Sequence, residues 1–74
     1  MPQPGTDVPI RDGSIRLGQF LKLADLIDSG SDAKATITSG EVTVNGEVEL
    51  RRGRQLQPGD TVSVHGRTAR VTGG

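Results

Sequence analysis

The stretch Gly40-Glu41-Val42-Thr43-Val44-Asn45-Gly46 leaves the chain few ways to fold. Gly40 can take a positive φ and stop a helix. Glu41-Val42-Thr43-Val44 alternates polar and apolar residues, the period of a half-buried strand. Asn45-Gly46 signals a hairpin, because both residues tolerate left-handed backbone angles. Glu47-Val48-Glu49-Leu50 then alternates again. A two-residue loop would pair Val44 with Glu47 and set Val48 on the face of Thr43. A three-residue loop, Asn45-Gly46-Glu47, pairs Val44 with Val48 and Val42 with Leu50. Register follows the apolar set, so the three-residue loop with a bulge is expected. Helical segments precede this hairpin, and the remaining strands and most arginines follow it.

Ile15–Ile27 reads as the first helix. Leu17, Phe20, Leu21 and Ala24 fall at i, i+3, i+4 and i+7 on one apolar face. Ser14 is positioned to cap it, and Gly18 costs it about 1 kcal/mol relative to alanine. Leu23, Leu26 and Ile27 widen the apolar surface, which suggests packing on two sides. Asp28-Ser29-Gly30-Ser31 breaks the pattern. Ser29 or Ser31 can cap a second helix, Ala33–Ser39, with Asp32 in its first turn. That helix is too short to hold alone in water. It is expected to dock on the first as a helical hairpin.

Around these elements, residues 1–7 read as a flexible tail and residues 8–72 as a single domain. Val8-Pro9-Ile10 can start a strand, which Pro9 confines to an edge or a first position. Pro58-Gly59 suits a type II turn. Thr61–Val64 alternates with Val62 and Val64 inward, His65-Gly66 reads as a turn, and Thr68–Val71 as a last strand.

With 74 residues and Phe20 as the single aromatic, there is room for one domain with an aliphatic core. There is no cysteine for a disulfide or a thiolate metal site. No apolar run approaches the roughly 20 residues of a membrane span, and no signal-peptide pattern opens the chain. A cytoplasmic, non-membrane protein is expected. Nine basic and nine acidic residues cancel, which excludes a strongly basic nucleic-acid-binding surface spread over the whole molecule. Locally the charge is uneven. Arg51, Arg52 and Arg54 stand together, Arg67 and Arg70 come later, and Asp25, Asp28 and Asp32 cluster earlier.

The order Leu17…Phe20-Leu21, then Ala33-Lys34 and Ile37, then Gly40–Gly46, then Pro58-Gly59-Asp60 resembles the S4 RNA-binding domain family over roughly Ile15 to Val64. More narrowly, it is similar to the small stand-alone S4-like proteins of bacteria. The resemblance implies an α+β fold, a two-helix hairpin on a small, twisted antiparallel sheet of three to five strands. It implies binding of structured RNA, ribosomal or transfer RNA, without catalysis, cofactor or metal. A ribosome-associated protein is a further expected partner, and a monomer the expected state. The family places a Ser-Arg-Ser-x-Ala-Arg-like stretch at the start of the second helix. Here it reads Ser29-Gly30-Ser31-Asp32-Ala33-Lys34, with Lys34 matching the last basic position and Gly30 where the family has arginine. Carried over by position, the RNA-facing residues are Lys34, Thr38, Asn45 and Gly46. The narrower group keeps a basic run where Arg51–Arg54 stands.

Each candidate also has a plainer reading. Arg51, Arg52 and Arg54 can make bidentate phosphate contacts, or simply solubilise a loop. Gly53 would let that loop approach a ligand closely. Lys34 near a helix start can share an anion with free amides, or stand solvated beside Asp32. The Lys22 stem can cover apolar surface instead of reaching RNA. Asn45 and Gly46 serve a turn whether or not anything binds. Arg67 and Arg70 extend the basic patch if the last turn folds to the same side. His65 and the serines have no activating partner near them in sequence, and Asp28 and Asp32 form no recognised metal motif. The rival to RNA binding is a protein-interaction module. In it, the Asp25–Asp32 stretch and the Arg51–Arg54 loop meet a partner of complementary charge.

Overall fold

A computed structural model describes residues 6–28 and 30–73. Five strands form one sheet in the order β1 (Thr6–Ile10), β7 (Arg67–Gly73), β6 (Thr61–Val64), β3 (Val42–Val44), β4 (Glu47–Val48). A second ladder pairs β2 (Ile15–Arg16) with β5 (Gln55–Leu56). Helices α1 (Leu17–Leu23) and α2 (Ala33–Thr38) complete the α+β fold. The inward residues of the long strands, Val8, Ile10, Val42, Val44, Val62, Val64, Ala69 and Val71, are buried in one cluster with Leu17, Phe20, Leu21 and Ile37. Phe20 is fully buried at its centre, and the rest is aliphatic.

The sheet is mixed. Its β3, β4, β6 and β7 pairs are antiparallel, as expected, but β1 runs parallel to β7, with Val8 opposite Val71. Pro9 sits on that edge strand, where its missing N–H costs no ladder bond. β1 begins at Thr6, so Thr6 and Asp7, read from sequence as tail, are strand residues. The last strand is also longer than Thr68–Val71, because β1 pairs with it out to Gly73.

The hairpin register differs from the expected one. Val44 pairs with Glu47 and Thr43 with Val48, which makes a two-residue loop. Asn45 and Gly46 both have positive φ, 54° and 86°, the signature of a type I′ turn. The Asn45 side chain locks the turn from outside. Its Oδ1 accepts from the Thr61 amide at 2.9 Å and its Nδ2 donates to Asp60 Oδ1 at 3.1 Å. Turn chemistry thus overrides the apolar pattern, and Val48 and Leu50 stay exposed (59% and 54%) on an edge that nothing covers among the described residues.

The first helix is shorter than Ile15–Ile27 at both ends. Ile15 and Arg16 are taken by β5, so the helix starts at Leu17 without a side-chain cap, and Ser14 does not cap it. Its first amides are met instead by a distant loop: Leu17 N–H donates to the Arg54 carbonyl (2.8 Å) and Gly18 N–H to that of Arg52 (3.0 Å). At the other end Leu26 N–H bonds the Leu21 carbonyl and Asp25 N–H that of Lys22, a Schellman closure. Asp25 fills its left-handed position with φ 58°. Leu26 and Ile27 are buried, but after the helix rather than on it.

The second helix is capped by Asp32, not by Ser31. Asp32 Oδ1 accepts from the amides of Lys34 (3.0 Å) and Ala35 (3.4 Å). Ser29, the other expected cap, lies outside the described residues. Gly40, with φ 85°, ends the element as expected. The remaining turns follow the sequence. Asp60 N–H closes onto the Gln57 carbonyl across Pro58-Gly59, and His65-Gly66 joins β6 to β7 through two positive φ angles.

Candidate functional site

The start of α1, the start of α2 and the loop 51–54 border one open cleft of about 360 Å³. Arg16, Lys22, Lys34 and Arg52 line it, with Asp32 as the one carboxylate. All four cations are exposed. Among the described residues, none of the four takes part in an ion pair. Asp32 offsets only one of the four charges, and one of its oxygens is directed to two helix amides. Those same bonds correct the expectation for Lys34: the Lys34 amide, and that of Ala35 after it, are used by Asp32 and not left to attract an anion. A concave, unpaired, positive surface on a neutral chain is suited to a polyanion.

The cations gather here for local reasons. Arg16, Gln19 and Lys22 recur three apart, to the side of the buried Leu17, Phe20 and Leu21. Lys34 follows the Asp32 cap and is turned outward while Ile37 is buried. Arg52 arrives because its carbonyl is hydrogen-bonded to Gly18 at the helix start. The approach does not require glycine at Gly18. A Cβ there would meet Arg52 O at 3.6 Å, an ordinary contact.

The other two arginines of the run behave differently. Both are tied to Glu49, which is buried. Arg54 Nη1 lies 2.9 Å from Glu49 Oε1, and Arg51 Nε 3.2 Å from Oε2, which also accepts from the Arg51 amide at 3.1 Å. The Arg54 hydrogen bond first, then that of Arg51, holds the Glu49 carboxyl down to about 2. Arg51 remains exposed and Arg54 partly so.

The remaining candidates from sequence lie outside the cleft. Thr38 Oγ1 donates back to the Lys34 carbonyl at 2.9 Å. Asn45 and Gly46 form the hairpin turn. Arg67 Nη1 donates to the Asp25 carbonyl beyond the end of α1 (3.2 Å), and Arg70 pairs with Asp7 across β7 and β1 (3.1 Å). Arg67 and Arg70 therefore do not extend the patch of Lys22, Lys34 and Arg52. Sequence reasoning missed two residues. Arg16 was hidden inside the expected helix, where its three-residue spacing to Gln19 and Lys22 was the available signal. Glu49 was read only as the polar half of a strand alternation.

His65 does have a partner in space. Its Nε2 is 2.7 Å from Glu41 Oε1, and the Ser39 hydroxyl binds the other oxygen of the same carboxylate. The Ser39 bond first, then that of His65, lowers the Glu41 carboxyl below its ordinary range. Both side chains address the carboxylate and not each other, so the imidazole does not draw a proton from the serine. Among the described residues no three metal-binding side chains cluster, and no helix is long and apolar enough to cross a membrane.

Comparison with known proteins adds to this geometry. A family model described as S4 domain matches residues 8–72. The chain is 56% identical over 52 residues to the probable ribosome maturation protein RlbA of Bacillus subtilis, a match covering 70% of this chain and 73% of that protein. It is 39% identical over 57 residues to the putative RNA-binding protein YbcJ of Escherichia coli, covering 77% and 81% respectively.

Proposed function

The chain belongs to the S4 domain family, an RNA-binding family, and we propose that its own ligand is structured ribosomal RNA. The observation that carries this is the cleft in which Arg16, Lys22, Lys34 and Arg52 converge without ion-pair partners among the described residues. A-form RNA hides its base edges in a deep groove, so such a cleft reads phosphates and shape more than sequence. Arg51 and Arg54, on the same loop, extend the contact surface beside it. The preference for ribosomal over transfer RNA rests on the name of the Bacillus subtilis relative, a probable ribosome maturation protein. A cytoplasmic location belongs to the same proposal.

The test is a titration of the protein against a folded ribosomal RNA fragment, a transfer RNA and a duplex DNA, at low and at physiological salt. The ribosomal fragment is expected to bind tightest. Affinity should fall as salt rises, with a slope of about three to four in log–log form for as many neutralised phosphates. Lys22→Glu, Lys34→Glu and Arg52→Glu should each weaken binding and flatten that slope by about one. Absence of RNA binding at low salt would overturn the proposal, and salt-independent capture by a protein partner would favour the interaction-module reading.

A further inference from the structure

Glu49 is the one charged side chain that is buried among the described residues (7% exposed), yet it does not line the cleft. Its carboxylate spans the base of the 51–54 loop instead, with Oε2 on Arg51 and Oε1 on Arg54. The loop so held passes two backbone carbonyls, those of Arg52 and Arg54, to the first two amides of α1. Those are the amides left without a side-chain cap. One carboxylate thereby links the loop that carries Arg52 to the helix that carries Lys22.

We propose that Glu49 is a positioning residue for RNA binding: it fixes the 51–54 loop, and through it Arg52, in the geometry that meets a phosphate backbone. This deepens the RNA-binding reading above and rests on it. Each guanidinium has five N–H donors, and Arg51 and Arg54 each give one to Glu49, so four remain on each for a ligand. Ordering a loop costs backbone entropy. Glu49 places that cost in folding, where binding no longer bears it.

The competing view is that Glu49 merely neutralises two arginines and so weakens anion binding. The two views predict opposite signs when the charge is removed. Glu47 supplies the electrostatic reference. It lies two residues away, is exposed, and has no ion pair among the described residues. Glu47→Gln changes the net charge by the same amount as Glu49→Gln without touching the loop.

The experiment measures binding of the wild type, Glu47→Gln, Glu49→Gln and Glu49→Asp to one folded ribosomal RNA fragment at two salt concentrations. Amide hydrogen exchange at Leu17 and Gly18 is followed in the same proteins without RNA. Glu47→Gln should bind as tightly as the wild type or slightly tighter. Glu49→Gln should bind about tenfold weaker, with a shallower salt slope. Glu49→Asp keeps the charge but is one methylene shorter, which draws the carboxylate back from the two guanidinium groups. It should lose affinity too, and it carries the test if the glutamine variant does not fold. Exchange at Leu17 and Gly18 should quicken in both Glu49 variants while the β6 amides stay protected. Binding by the Glu49 variants no weaker than that of Glu47→Gln, or unchanged exchange at the two amides, overturns the proposal. A wild type that binds no RNA removes the RNA reading instead, and unchanged exchange still overturns the loop-fixing role.

Discussion

Asp32 and Asp25 show how single side chains set the limits of short helices. Asp32 closes the start of α2 with two hydrogen bonds to backbone amides. Asp32→Ala should therefore lower stability by about 1 kcal/mol. For a domain of this size that is a fall in Tm of about 4–8 °C, measurable by thermal unfolding monitored at 222 nm. A change within 1 °C would show that the cap contributes nothing. Asp25 ends α1 in a conformation that glycine adopts without cost. The sequence shows neither role plainly. Ser29, Ser31 and Asp32 are all competent caps, and which one serves depends on where Ile37 must point to be buried. Asp25 closes a motif that sequence reading associates with glycine.

At the scale of elements, the legible parts were those in which local chemistry and burial agree. Val62 and Val64 alternate inward, Pro58-Gly59 and His65-Gly66 turn as their residue types demand, and Phe20 and Leu21 mark a buried helical face. The hairpin failed where the two disagree. The apolar rule works only if a face is buried, and β4 lies at an uncovered edge, so Asn45-Gly46 decided the register. The end of α1 failed for a different reason. Ile15 and Arg16 fit a helix locally, but Gln55 and Leu56, about forty residues later, pair with them. The cleft was half legible for the same cause. Lys22, Lys34 and Arg52 are visible as cations, while their meeting depends on the long-range bonds from Leu17 and Gly18 to the loop. The turn also yields a separable test. Asn45→Ala loses both the tolerance of positive φ and two side-chain bonds, and should cost about 2 kcal/mol. Asn45→Gly restores the backbone freedom and should recover about half, read by urea unfolding. Equal losses in the two variants would assign the whole effect to the bonds with Asp60 and Thr61.

For the molecule as a whole, a net charge of zero is compatible with a cationic cleft because the balancing carboxylates are placed elsewhere, Asp32 alone lining it. Asp7 meets Arg70, Glu41 meets His65, and Glu49 meets Arg51 and Arg54. The Glu49 network makes stability depend on pH in a definite direction. Its carboxyl is held at about 2 in the folded chain, below its ordinary value of 4.5. The unfolded chain therefore binds more protons between those values, and stability falls as pH falls through that interval. Above about 4.5 the contribution is complete. Other carboxylates titrate in the same range, so the informative quantity is the difference between wild type and Glu49→Gln. At pH 7 the variant should be less stable by about 2 kcal/mol, the scale of hydrogen bonds to a charged group. That difference should shrink steadily below pH 4.5 and be mostly gone near pH 2, where the wild-type carboxyl is itself half protonated. Denaturant unfolding at a series of pH values measures it. Two curves that stay parallel from pH 7 to pH 2 would show that Glu49 acts by packing, and that its charge does not hold the loop.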